Sequence, residues 1–151
     1  MHAASYEMMK EFSEKYVEPP CSVVDVGSIE CNGTFRPLFA GCEYTGIDIV
    51  SGPNVDRVVE PYNYGDEQYD VVISGSTMEH VEDLHAWASE VARICKPGGL
   101  ICIVAPHTWA EHPHPVDCWR ILPDGMRWLF RSLNILECRS GVTDTVLVAR
   151  K

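Results

Sequence analysis

Two groups of residues in this chain have types and spacings that suit chemistry. The first is Gly27 with Asp48. An apolar run, Cys21-Ser-Val-Val-Asp-Val-Gly-Ser28, ends in a glycine turn, and an acid stands at the tip of the next strand about 20 residues later. Glycine has no Cβ, so the backbone at position 27 can turn tightly and approach a ligand. A carboxylate placed as Asp48 is can accept hydrogen bonds from both hydroxyls of a ribose. The second group is rich in histidine. Glu79-His80 follows another apolar run, and the segment Pro106–Pro123 carries His107, His112 and His114 with Asp117, Trp109 and Trp119. An imidazole can take a proton from a hydroxyl or an amine near neutral pH.

The residues after Gly27 narrow the nucleoside. A dinucleotide site needs Gly-x-Gly-x-x-Gly, whose later glycines admit the pyrophosphate and a close helix. Ile29 and Asn32 stand where those glycines belong, and no Gly-Lys-Ser/Thr follows the strand. A nicotinamide-dependent oxidoreductase and a P-loop enzyme are therefore disfavoured. A nucleoside without phosphates remains, and S-adenosylmethionine is the common one. Its zwitterionic amino-acid end suits Asp25 and the backbone donors of the Ser28–Gly33 loop. On Gly27 alone, a strand, turn and helix with no ligand is an equal alternative.

The order of motifs goes further. Val23-Val-Asp-Val-Gly-Ser28, Tyr44-Thr-Gly-Ile-Asp-Ile49, Tyr69-Asp-Val-Val-Ile-Ser74 with Met78-Glu-His-Val81, and Arg93-Ile-Cys-Lys-Pro-Gly-Gly-Leu100 occur in that sequence. Over about residues 21 to 106 the chain resembles the class I S-adenosylmethionine-dependent methyltransferases, in particular the methyltransferase-11-type group. The usual multiple-glycine loop is reduced to Gly27 and Gly33. The resemblance implies a Rossmann-like α/β fold: a mostly parallel seven-stranded sheet, helices on both faces, and a C-terminal antiparallel pair. Ligands of such sheets bind at the carboxyl ends of the strands. That rule nominates Asp25, Gly27 and Ser28 on the first strand, Asp48 for the ribose and Ile49 for the adenine. Glu60 is nominated near the adenine amine, and Ser74 and Gly75 beside the methionine end.

The elements that must hold these residues follow from pattern. A helix is expected over residues 5–17, stopped by Pro19-Pro20. Strands are expected at 21–26, 43–49, 55–59, 69–74 and 100–105. A short helix, made irregular by Pro37, is expected at 32–39. Residues 50–54 are too few for the dozen or more that a parallel crossover needs, so reduced helix content is expected between strands two and three. Leu84, Trp87, Ala88, Val91 and Ala92 recur at helical spacing within a helix over 82–95, and Lys96-Pro-Gly-Gly99 should turn the chain after it. A helix over 123–133 and strands at 135–138 and 145–149 complete the pattern.

Composition sets the outer limits. The 151 residues predict one domain, 1–151, with 46% apolar content. No apolar stretch is long enough to span a membrane, and the N-terminal residues lack a secretory apolar region. Seven unpaired-looking cysteines imply a reduced, cytoplasmic protein. Twelve basic against 22 acidic residues leave a net charge of −10, which argues against nucleic acid as a partner.

Three readings compete for the segment 106–123, which is long enough to be functional and stiffened by four prolines. In the first, His107, His112, His114 and Asp117 line an acceptor pocket, with His80 at the cofactor rim. In the second, His112, His114, Asp117 and Cys118 bind a metal. No Cys-x-x-Cys or His-x-x-x-His spacing supports zinc, so no metal is expected. In the third, Trp119 is buried and Arg120 pairs with an acid. The segment resembles a His-x-Pro…Asp-x-Trp-Arg stretch that covers the acceptor site in part of the family. The expected function is S-adenosylmethionine-dependent methyl transfer to a polar small-molecule or saccharide-like acceptor. A non-catalytic cofactor-binding subunit that needs a homodimer or a partner is the alternative.

Overall fold

The structure, a computed structural model, describes residues 3–66 and 68–151. Its elements run α1 (Ala3–Tyr16), β1 (Ser22–Val26), β2 (Glu43–Asp48), β3 (Arg57–Val58), β4 (Tyr69–Gly75), α2 (Leu84–Ile94), β5 (Cys95–Pro106), α3 (Pro123–Leu129), β6 (Asn134–Ser140) and β7 (Asp144–Arg150). One seven-stranded sheet has the order β3-β2-β1-β4-β5-β7-β6. β1 to β5 pair in parallel, and β7 runs antiparallel to both β5 and β6. This is the Rossmann-like arrangement expected from the motifs.

Alternation along the central strands builds two cores. Val24, Val26, Val72, Ile101 and Ile103 face α2 and α3, where they meet Trp87, Val91, Met126 and Phe130. Val23, Val71, Ile73, Cys102 and Val104 face α1 and the turn Arg36–Phe39, where they meet Met9, Phe12 and Phe39. Buried on both sides, these strands read as continuous apolar runs, as parallel strands do. Asp83 caps α2 by accepting hydrogen bonds from the backbone N–H of His85 and Ala86, at 3.1 and 2.9 Å.

Several boundaries differ from the sequence pattern. The expected helix over 32–39 is a single 3₁₀ turn, Arg36–Phe39, with Pro37 at its start. The helix expected over 123–133 ends at Leu129. Lys96-Pro-Gly-Gly99 is not a turn between helix and strand. Cys95 already pairs with Tyr69, and the glycines form an irregularity within β5 before Leu100 pairs with Val71. Lys151 stabilises this bend: Gly98 N donates to its carbonyl at 2.8 Å, and its own N–H donates to Gly99 O at 3.0 Å.

Between β2 and β3 the helix is absent, as expected, and β3 shrinks to two residues. A tight loop replaces the crossover. Asp56 Oδ2 accepts from Gly46 N at 2.7 Å and from the Arg36 guanidinium at 2.5 Å, and Asp56 N donates to Gly46 O at 2.8 Å. The loop lies so close that a Cβ at Gly46 would stand 2.1 Å from the Asn54 carbonyl. Gly46→Ala is therefore expected to cost about 1–3 kcal/mol by overpacking. Gly125→Ala in α3 meets only Ile121, at an ordinary 3.7 Å, and is expected to stabilise by about 0.5–1 kcal/mol. Urea unfolding of the two variants reads both signs in one experiment.

Candidate active site

At the carboxyl ends of β1, β2 and β4 lies a cavity of about 470 Å³. It sits where the strand order reverses, with β1 between β2 and β4, the usual place for a ligand in such sheets. Its volume is that of a small-molecule site. One end is lined by Asp25, Gly27, Ser28, Asp48, Ile49 and Gly75, the other by His80, His112 and His114.

The first end is built by backbone constraints. Gly27 has φ +78°, and a Cβ there would stand 2.2 Å from Thr77 Oγ1, so only glycine fits. Gly27 N and Ser28 N both donate to Ile47 O, at 2.9 and 3.0 Å, which locks the end of β1 to β2. Asp48 is buried. Its Oδ2 accepts from Ile29 N at 3.0 Å and its Oδ1 from Val50 N at 3.3 Å. The Ile49 side chain is half exposed and lies against the cavity. Asp25 is buried beneath this end and accepts from the Tyr44 hydroxyl at 2.5 Å. Burial pushes the Asp25 carboxyl up to about 7, against the lowering effect of that hydrogen bond.

At the second end, three imidazoles face one another edge to face, with centroids 5.0, 5.8 and 6.2 Å apart. His80 Nδ1 lies 2.6 Å from Val116 O, and burial lowers its pKa. Behind them Glu79 is fully buried, with neither carboxylate oxygen hydrogen-bonded, and burial pushes its carboxyl up to about 7. The loop that brings His112 and His114 here is fastened at several points. Arg120 grips Asp117 with two bonds, at 2.6 and 2.7 Å, and donates to the carbonyls of Trp109 and Ala110. Cys118 N donates to Glu79 O at 2.7 Å, and Trp119 Nε1 to Val81 O at 2.7 Å.

Four expected site residues lie outside the cavity lining. Ser74 is buried and spends its hydroxyl on Val26 O at 2.7 Å, clamping β4 to β1. Glu60 is exposed, because two-residue β3 ends before it and its backbone turns into a bridge with Asn63. His107 is turned toward the β6–β7 connection, with its ring between Thr108 Oγ1 and Gly141 O. Asp117 is occupied by Arg120 and the His112 N–H, and the guanidinium holds its carboxyl well below the usual range. Arg120 does pair with an acid, but Trp119 is 39% exposed rather than buried, since its indole covers the loop surface. Pattern reading missed Thr77 and Phe35, which press on Gly27 and Gly75. Only the strand pairing brings these distant residues together.

Fold and cavity together define a nucleoside-binding α/β domain of the methyltransferase type. The family model described as "Methyltransferase domain", of the methyltransferase-11 type, matches residues 24–103, more than half of the chain. The chain belongs to that family of class I S-adenosylmethionine-dependent methyltransferases, whose cofactor is S-adenosylmethionine. Solved structures agree on the fold. A Burkholderia thailandensis 1,6-didemethyltoxoflavin-N1-methyltransferase, with 1,6-didemethyltoxoflavin and S-adenosylhomocysteine bound, superposes with a TM-score of 0.77 at 16% identity, over 98% of this chain and 78% of that one. A Haloferax volcanii complex between the Trm112 methyltransferase activator and a methyltransferase gives 0.70 at 18% identity, over 97% and 90%. The N-methyltransferase NodS from Bradyrhizobium japonicum gives 0.69 at 14%, over 97% and 93%. No curated protein matches the chain.

The buried Asp25 makes stability depend on pH. Its folded pKa of about 7 lies above its ordinary 3.8, so the native state holds the proton more tightly than the unfolded chain. Its contribution is present at low pH and is lost as pH rises from about 4 through about 7. Asp25→Asn should gain melting temperature relative to the parent as pH rises across that window. A constant difference between the two proteins from pH 4 to pH 8 would contradict this.

Proposed function

We propose that the chain transfers a methyl group to the oxygen or nitrogen of a polar small-molecule acceptor, in one cavity with a cofactor end and a histidine end. The observation that carries this reading is the joining of the Gly27–Asp48 turn and the three imidazoles on one wall-to-wall space. In this reading Asp48 accepts from the ribose hydroxyls, Ile49 packs on the adenine, and Asp25 lies near the ammonium. Gly27 and Gly75 let Thr77 and Phe35 pack directly against the strand ends that border the cavity. S-Adenosylmethionine, when bound, supplies a methyl group already activated on a sulfonium.

The protein then has to hold the acceptor in line and keep water out. Trp87, Tyr62 and Val116 provide apolar wall on the acceptor side. His114 takes the proton that an acceptor hydroxyl or amine loses. Asp117 and Arg120 position the loop. The Burkholderia thailandensis structure, with 1,6-didemethyltoxoflavin and S-adenosylhomocysteine bound, supports a small acceptor. No helix among the described residues is long and apolar enough to cross a membrane.

A partner-dependent subunit is the second reading, favoured by the sheet edge where the crossover helix is missing. Ile49, Val50 and Val58 are each half exposed there. The Haloferax volcanii complex contains an activator protein. Gel filtration separates the readings: an active monomer removes the need for a partner.

Calorimetric titration tests the cofactor end. S-Adenosylmethionine and S-adenosylhomocysteine should bind, NADH should not, and Asp48→Ala should lose the first two. Absence of binding to the parent chain would overturn the cofactor site. For the acceptor end, His114→Ala should lower turnover by about 10²-fold or more while cofactor affinity stays within a few-fold. Unchanged turnover would remove His114 from the reaction.

A further inference from the structure

We infer that Glu79, His80 and His112 form a site for one divalent transition-metal ion of the zinc class, at the histidine wall of the cavity. The inference stands without the methyl-transfer reading. Only the ion's part in holding an acceptor rests on that reading.

The donor atoms are already gathered. Glu79 Oε1 lies 3.8 Å from His80 Nε2 and 3.9 Å from His112 Nε2, and the three ligand atoms fall within 4.8 Å of one another. These separations are too long for hydrogen bonds, so the groups do not satisfy one another directly. Zinc takes nitrogen and oxygen donors at about 2.0–2.2 Å, and two donors on one tetrahedral ion then stand roughly 3.3 Å apart. A closure of about half an ångström for each carboxylate–imidazole pair, and of at most about 1.5 Å between the two imidazoles, brings the triad onto an ion.

Both rings are oriented for it. A carbonyl can only accept, so His80 Nδ1, 2.6 Å from Val116 O, carries the proton and leaves Nε2 as the ring's lone-pair nitrogen. His112 Nδ1 lies 2.9 Å from Ala110 O and 3.2 Å from Asp117 Oδ2, both nearer than the donating Arg120 Nη2 at 3.5 Å, which favours the same tautomer. Nδ1 held by a carbonyl or carboxylate, with Nε2 turned inward, is how proteins prepare histidine to ligate metal.

The carboxylate is the independent observation. Glu79 has 1% side-chain exposure, and neither oxygen has a hydrogen-bond partner. A buried carboxylate without a hydrogen bond is costly, and a cation at the centre of the triad offsets that cost. The nearby guanidinium of Arg120 is already matched by Asp117. Two histidines and one carboxylate leave a zinc-class ion at least one open position. His80 and His112 line the cavity, and His114 lies beside both, so that position has room for a water or for an acceptor oxygen or nitrogen. The spacing rules for zinc in sequence do not find this set. Two ligands are adjacent after β4, and the third arrives on the loop after β5.

The test uses the untagged full chain after treatment with a chelator. Zinc chloride is titrated by calorimetry, and cobalt(II) by visible absorption. One equivalent should bind, and the cobalt spectrum should show d–d bands without a thiolate charge-transfer band. His112→Ala and His80→Ala should each weaken binding at least about tenfold. His112 is partly exposed, so its variant should remain folded, and circular dichroism checks this. Glu79→Gln, which keeps the side-chain size, should also weaken binding. No zinc binding in the titration, equal affinity in His112→Ala, or a thiolate band pointing to a cysteine site such as Cys21 with Cys42 would overturn the inference. A parallel S-adenosylmethionine titration keeps the two readings apart. Zinc bound without cofactor binding would sink only the methyl-donor reading, and cofactor bound without zinc binding would sink only this one.

Discussion

Everything at this site depends on β1 lying between β2 and β4 with all three strands parallel. The chain must leave β1 toward one neighbour while β4 leaves toward the other, so nothing fills the space beyond their carboxyl ends. That cleft survives only if the two exits pack tightly below it. Ser74 Oγ ties β4 to Val26 O, and Gly27 brings the first turn against Thr77 at the start of the second exit. A side chain at position 27 would force these exits apart. The glycine thus serves the pairing of the strands as much as any ligand. Its N–H is spent on Ile47 O, so that donor is not offered to a ligand.

Electrostatics sharpen what the cleft can hold. Asp25, Asp48 and Glu79 are all buried around one cavity in a chain of net charge −10. Burying carboxylates is unfavourable, and the raised pKa values of Asp25 and Glu79 record that cost. A cationic ligand offsets it and an anionic one adds to it. A sulfonium or an ammonium at the Asp25 end suits this field, and so does a metal ion at the Glu79 end. A pyrophosphate does not, which agrees with the side chains at Ile29 and Asn32.

Much of the fold was legible because buried parallel strands are long apolar runs that end in turn residues. β1, β4 and β5 are of that kind, with Gly27 just past the end of β1, whereas β2 is mixed and Asp48 was legible from its distance past Gly27. The missing crossover helix was legible from chain length alone. The rest was hidden wherever non-local pairing decided the outcome. Lys96-Pro-Gly-Gly99 has the composition of a turn, yet pairing of Cys95 with Tyr69 and the hydrogen bonds to Lys151 draw it into the sheet. Trp119 looks like a core residue by type, but the loop needs its indole N–H at Val81 O, which keeps the ring at the surface. Glu60 was placed by assuming a third strand of ordinary length, and β3 is too short to carry it there.

The histidine cluster shows most plainly why composition and spacing fall short. His107, His112 and His114 are neighbours in sequence, but only the last two reach the cavity. The difference is the Asp117–Arg120 pair. With both carboxylate oxygens gripped and the guanidinium also bound to the carbonyls of Trp109 and Ala110, the loop between is folded back on itself. Asp117 also accepts the His112 N–H, so the same pair that closes the loop aims the ring at its tip. His107 lies before the fold-back and is held by Thr143, on the connection to β7. The charged residues that looked most like catalytic groups therefore act as the fastening. In the proposed reading the chemistry falls to rings whose positions follow from that fastening and from Glu79, whose backbone carbonyl anchors Cys118 while its side chain lies beside them without a hydrogen bond.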